Sequence, residues 1–292
     1  MWARWYGPIV EKFRSWAENE RGVRAALIVG SQARVEMPAD EWSDLDLVIF
    51  HTDPPRLLES TAWFQLFGTV VLSMVEPTAV GGSRERRVLY EDGRDVDFAV
   101  FPSAATPFLL KAPEGRSVLG RGFVILVDKD RAFEELQALA ERPLPRTSGL
   151  PTEEDFQASV SDFYYHLLWF AKKLRRGETW LAKMGCDGDL KMLLARMIEW
   201  STVASSSAKV DVWDDGRFLD LWAPPGVRAQ LPATFARYDT RDLSRALRET
   251  GELYSLLARQ VAERFGWSYP AEAEVIVRRF VHNALTDLPP SR

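Results

Sequence analysis

The sequence is poor in several things, and each shortage narrows its meaning. It holds one cysteine, Cys186, among 292 residues, which excludes an internal disulfide and cannot by itself make a zinc cluster. Of its three histidines, His51 and His166 have no second histidine or cysteine at ligand spacing, so both read as packing or surface residues. No window approaches the roughly 18 apolar, uncharged residues of a membrane span. The opening stretch "MWARWYGPIVEKFRSW" breaks its apolar content with Arg and Glu, unlike a secretory leader, and cytoplasm is the expected compartment. Internal repeats and low-complexity tracts are absent. A basic excess is also missing. The formal net charge is -5 and the isoelectric point is near 5.5, which argues against a general nucleic-acid binder and suits a cationic small substrate.

What is present is patterned. Residues 6–19 read as an amphipathic helix with Ile9, Phe13 and Trp16 on one stripe. Short apolar runs predict strands at 25–29, 45–50, 69–76, 95–101 and 123–128, with "RRVLYED", Gly93 and "DVDFAVF" forming a hairpin and "HTDPP" a turn. "ESTAWFQLFG" reads as helical. At 142–153 the texture changes to "RPLPRTSGLPTE", after which Thr152 offers an N-cap. Beyond it helical periodicity dominates, over 155–176, 187–205, 240–265 and 271–286. The expected fold class is therefore α+β: a mixed-sheet domain with flanking helices over 1–148, then an all-helical domain over 149–292.

Chemistry concentrates in "LIVGSQARVEMPADEWSDLDLVIF". Residues two apart in a strand share a face, so Asp44 and Asp46 present their carboxylates side by side. Adjacent carboxylates repel unless a cation lies between them, and magnesium is held by one or two carboxylates together with substrate phosphates. Gly30-Ser31, at a strand-to-helix corner, allows close backbone approach to a phosphate. A third acid is available from Asp95 or Asp97 at the head of a later strand. Gly-Ser alone is usually a turn, and Asp-x-Asp alone is usually a solvated strand entry. Together, in this order, they describe a two-metal nucleotidyl-transfer centre.

The segments "GSQARVEMPADEWSDLDLVIF" and "YEDGRDVDFAVF" resemble the aminoglycoside 6-adenylyltransferases (streptomycin adenylyltransferases) of the nucleotidyltransferase fold. The resemblance continues through "FYYHLLWFAKKLRRGE", "LKMLLARMIEW" and "FGWSYP", so it runs in order along most of the chain. It implies an N-terminal nucleotidyltransferase domain, a helical substrate-binding domain, ATP as co-substrate and two magnesium ions. It selects Asp97 over Asp95 as the third carboxylate and proton acceptor beside Asp44 and Asp46. Gly30 and Ser31 would hold the β- and γ-phosphates, and Lys172, with Arg176, would neutralise them. The family's Gly-Ser-Arg is Gly30-Ser31-Gln32 here, so Arg34 becomes the candidate guanidinium. Glu178 and Trp169 are candidates for the acceptor site.

The expected reaction is AMP transfer from ATP to a hydroxyl of an aminoglycoside, with pyrophosphate released, by a monomer or weak homodimer. A polycationic acceptor calls for carboxylates, which adds Asp187, Asp189 and the acids of "DVWDDGRFLD" to the candidates, although such acids are mostly solvated. Two rivals stand beside this reading: a same-fold enzyme acting on another small molecule or a protein side chain, and a catalytically silent nucleotide-binding relative. A polymerising enzyme is disfavoured, because the second domain lacks a basic patch interleaved with aromatics.

Overall fold

A computed structural model describes residues 5–109, 111–134, 151–206, 210–213 and 216–288. The chain divides into two compact units, Met1–Thr147 and Ser148–Arg292. The proline-rich stretch expected at 142–150 lies outside the described residues.

The first unit is built on six strands: β1 (Val23–Val29), β2 (Leu45–His51), β3 (Val70–Pro77), β4 (Arg84–Tyr90), β5 (Asp95–Pro102) and β6 (Val124–Asp128). Their order across the sheet is β3-β4-β5-β2-β1-β6. Every pairing is antiparallel except β2 with β5, which run parallel with Asp46 opposite Asp97. Strict alternation splits each central strand between two faces. Ile28, Leu47, Ile49, Phe98 and Val100 point to one side and are fully buried. There they meet Ile9, Val10 and Phe13 of the helix Gly7–Asn19, together with Trp63, Phe64 and Phe67. Burying each of these large side chains stabilises the unit by about 1.5–3 kcal/mol. The opposite side carries Asp46 and Asp97, then a smaller apolar cluster of Leu27, Phe50, Phe101 and Phe133.

Two local expectations are corrected. "HTDPP" is not merely a turn, and "ESTAWFQLFG" is not one helix. Asp53 accepts a bond from the Arg56 N–H, and Pro54 and Pro55 occupy the first helical positions, so the helix runs Pro54–Glu59. A proline at the first turn loses no intrahelical bond. The aromatics that follow make only a single tight turn, Phe64–Leu66, which drops Trp63, Phe64 and Phe67 into the core.

The second unit is helical. Its principal helices are Glu153–Arg175, Thr179–Asp187, Asp189–Ser205, Pro225–Thr234, Thr240–Phe265 and Ala271–Leu285. Thr152 and Asp155 form a reciprocal capping box at the start of the first. The predicted span 187–205 is the helix Asp189–Ser205; the helix Thr179–Asp187, parted from it at Gly188, was not anticipated. Gly185 explains the tight fit there: a Cβ at that position would sit 1.9 Å from Phe170 Cε1. Phe163 and Tyr254 stack at 3.6 Å in the core. A wholly buried carboxylate, Glu274, is held by Arg259 at 2.6 Å, Arg278 at 2.6 Å and the Tyr269 hydroxyl at 2.7 Å.

Candidate active site

The parallel β2–β5 pair creates the site. Because the two strands run in the same direction, their entry ends lie together, and the register puts Asp46 beside Asp97. Asp44 precedes β2 by one residue. Carboxylate oxygens of Asp44, Asp46 and Asp97 all lie within 4.8 Å of one another, and all three residues are half-buried. No other group of three acids, histidines or cysteines among the described residues converges in this way.

Strand β1 delivers the glycine corner. Val29 pairs with Asp46, so the next residue must turn against that carboxylate. Gly30 has φ +67°, and a Cβ there would lie 2.0 Å from Asp46 Oδ2. Both conformation and space therefore require glycine. The Ser31 hydroxyl is buried without a hydrogen-bond partner among the described residues, and an orphaned polar group at such a corner is suited to a ligand oxygen. Gln32, which stands where the resemblance led to an arginine, is 4% exposed and donates from Nε2 to the Asp44 carbonyl at 3.0 Å. It ties the glycine corner to the first acid. Arg34 donates from Nε to the Met37 carbonyl.

A second ring of charge comes from β4 and β3. Arg87 is opposite Asp97 in the register, and its Nε lies 3.3 Å from Asp97 Oδ2. The same guanidinium meets Glu76 at 2.7 Å and the buried Glu85 at 2.9 Å. One cation thus serves three acids. Burial, opposed by Arg87 and reinforced by Glu85, Asp44 and Asp95, brings the Asp97 carboxyl up to about 6. That value lies nearer neutral pH than an ordinary aspartate's. Arg94 does not reach Asp97: it pairs with Asp92 and donates to the Trp5 carbonyl at 2.7 Å. Asp95, the rival acid, accepts from the Tyr6 hydroxyl at 3.0 Å through its backbone carbonyl and is outside the cluster.

The remaining candidates belong to the second unit. Lys172 is exposed on the helix Glu153–Arg175. Its neighbour Lys173 lies 5.0 Å over the Trp169 ring and 2.9 Å from Glu178. Arg176 caps that helix and meets Glu178 at 3.0 Å. Glu178 and Trp169 are accordingly engaged within their own unit, which the sequence pattern did not disclose. Asp187 pairs with Lys183. His51 is buried and accepts from the Asp53 N–H at 2.8 Å, and His166 pairs with Asp162. Cys186 is fully buried, and burial raises its thiol above the usual value. Sequence reasoning overlooked Arg87, Glu85 and the role of Gln32. The alternation Glu85-x-Arg87 on the strand paired with Asp97 was the available signal for the first two.

Comparison with known proteins bears on the family of the chain. A family model described as Streptomycin adenylyltransferase matches residues 4–284. The aminoglycoside 6-adenylyltransferase of Bacillus subtilis (strain 168) is 21% identical over 279 residues, covering 92% of this chain and 94% of the relative. The Campylobacter jejuni protein of the same name is 20% identical over 271 residues, covering 90% of each. A crystal structure of an aminoglycoside 6-adenyltransferase from Bacillus subtilis aligns with a TM-score of 0.45 at 16% identity, covering 96% of this chain and 99% of that one. With the family match extending over nearly the whole length, the chain belongs to the streptomycin adenylyltransferase family and is an enzyme of the nucleotidyltransferase class.

Proposed function

We propose that the protein transfers AMP from ATP to a hydroxyl of a streptomycin-like aminoglycoside and releases pyrophosphate, with magnesium as the metal. The carrying observation is the convergence of Asp44, Asp46 and Asp97 within 4.8 Å beside the Gly30-Ser31 corner. The residues fit a metal–phosphate group: an all-carboxylate donor set suits magnesium, the Ser31 hydroxyl is buried without a partner among the described residues, and a Cβ at Gly30 would fill the space against Asp46. Asp44, Asp46 and Asp97 would hold a pair of magnesium ions. When bound, these neutralise phosphate charge and lower the pKa of the acceptor hydroxyl.

The chain's own groups do the rest. Ser31 and the Gly30 backbone orient the β- and γ-phosphates, with Arg34 as their counter-charge. Gln32 fixes the Asp44 backbone so that the first acid keeps its place. Asp97 takes the proton from the attacking hydroxyl as oxygen bonds to the α-phosphorus and pyrophosphate leaves. Arg87 steadies Asp97 from the far side. The excess of acid around the centre, with Glu76 and Glu85 next to the three ligands, suits a cationic acceptor.

The test is incubation with labelled ATP, magnesium and a panel of aminoglycosides, followed by mass spectrometry for AMP-bearing products and assay of pyrophosphate. Adduct formation on one or more of them is expected. A folded, ATP-binding protein that modifies none would overturn the acceptor assignment.

A further inference from the structure

Asp44 stands one residue outside the β2 ladder, so strand pairing does not fix it as it fixes Asp46 and Asp97. Three carboxylates within 4.8 Å repel one another until a cation arrives, and the heads of the two strands must be held against that repulsion. Trp5 and Tyr6 bond to the approaches of both. Tyr6 precedes the helix Gly7–Asn19, is 2% exposed and packs its ring in the apolar cluster on the face away from the acids. Its hydroxyl donates to the Asp95 carbonyl at 3.0 Å and lies 3.4 Å from Asp95 Oδ1, two residues before Asp97. Burial, together with the charges of Asp95 and Asp44, raises this phenol far above its ordinary value, so it stays a donor. Arg94 answers in the opposite direction, donating from Nη1 to the Trp5 carbonyl at 2.7 Å. The Trp5 indole in turn donates to the Asp40 carbonyl at 3.4 Å. Asp40 shapes the turn that ends beside Asp44: its side chain accepts from the Trp42 N–H at 3.0 Å and the Ser43 hydroxyl at 2.8 Å.

We propose that Trp5 and Tyr6 form a clasp that sets the spacing of the three carboxylates, tying the head of β5 and the turn before β2 to the start of one helix. The proposal rests on the reading of Asp44, Asp46 and Asp97 as metal ligands. Both residues act through main-chain carbonyls, so they are positioning residues and not catalytic ones. Ligands already held in place bind a cation without first giving up their own freedom, and the partners behind metal ligands carry a measurable share of the affinity. The arrangement suits that task because it is anchored on both sides. The Tyr6 ring is fixed in the core, and the bonds between residues 5–6 and 94–95 run in opposite directions. What the clasp asks of position 6 is therefore a hydroxyl at a fixed reach from a buried ring.

The experiment titrates the whole chain with manganese, which takes the same oxygen ligands as magnesium, and reads the free ion by its paramagnetic resonance signal. Wild type is compared with Asp46→Asn, Tyr6→Phe and Arg94→Gln. Asp46→Asn should lose most of the affinity. Tyr6→Phe keeps the ring and removes only the hydroxyl, and it should bind manganese about 3–10-fold more weakly, as expected for one net hydrogen bond. Arg94→Gln breaks the opposite bond and should weaken binding by a similar factor. Melting temperatures separate positioning from plain stabilisation. The gap between wild type and Tyr6→Phe should be small in EDTA and should widen as manganese is added, because the tighter binder gains more from the ligand. Asp46→Asn binding manganese like the wild type would overturn the carboxylate reading and the clasp with it. Where Asp46→Asn does lose affinity, two outcomes would overturn the clasp alone: wild-type affinity in Tyr6→Phe or Arg94→Gln, or a melting gap that manganese does not widen.

Discussion

Replacing Asp97 by asparagine should abolish transfer and at the same time stabilise the metal-free protein at neutral and alkaline pH. Burial holds this carboxyl at about 6 in the folded chain, against an ordinary value of 3.8. The native state therefore keeps its proton longer than the unfolded chain does. Below the ordinary value both states are protonated and nothing is lost. Between that value and about pH 6 the unfolded chain ionises first, and native stability falls by about 1.4 kcal/mol per pH unit. Above the folded value the loss is complete, at about 3 kcal/mol. Asparagine escapes this loss; with about 1 kcal/mol allowed for an amide that matches the carboxyl's hydrogen bonds imperfectly, the net gain is about 2 kcal/mol near pH 8 and none near pH 4. For a unit of this size that corresponds to a rise of about 4–8 °C in the melting temperature. Calorimetry of both proteins in EDTA, across that pH range, is the assay. Added magnesium should raise the wild type toward the variant, because a ligand that binds only the native state stabilises it. A melting difference that does not change with pH, or a variant less stable than wild type near pH 8, would refute the reasoning.

Other substitutions probe neighbouring parts of the site. Gly30→Ala places a Cβ 2.0 Å from Asp46 Oδ2 at φ +67°; activity should fall by about two orders of magnitude or more, with a stability cost of about 1–2 kcal/mol from the left-handed backbone, both read from kcat and urea melts. Arg87→Gln removes the cation that lowers the Asp97 carboxyl, so the acidic limb of the pH–rate profile should move upward, while Arg87→Lys should restore it in part. An unmoved limb in Arg87→Gln would separate Arg87 from the proton transfer. Glu274→Ala strips the partner from Arg259 and Arg278 in the helical unit and should cost about 3–5 kcal/mol; a calorimetric transition unchanged from wild type would contradict the packing described here.

The acids of the site were legible because strand alternation is a local rule. Asp44, Asp46 and Asp97 each stand at the head of an apolar run, and period two places them without knowledge of the fold. Their convergence was not legible in the same way, because register is a non-local property: nothing near Asp46 states that β5 lies beside it in parallel. Gln32 shows the limit most clearly. In sequence it is a departure from an expected arginine; in the structure it is a buried amide that holds the Asp44 carbonyl, a bond that only the folded corner reveals. Arg87 was hidden by abundance, one of four arginines within Arg84–Arg94 whose hairpin partners depend on the β4–β5 register. The helix Thr179–Asp187 was missed because Gly177, Gly185 and Gly188 punctuate it, and Gly185 is there for contact with Phe170.

The parallel β2–β5 rungs also bear on how the centre comes into being. Asp46 and Asp97 are some fifty residues apart in sequence, and before those strands meet the two charges have no reason to be neighbours. Bringing them together sets their repulsion against the pairing itself. A divalent cation is therefore more than a participant in the finished enzyme: it removes an obstacle from the last long-range closure of the sheet, and refolding of the first unit should be faster in magnesium than in EDTA.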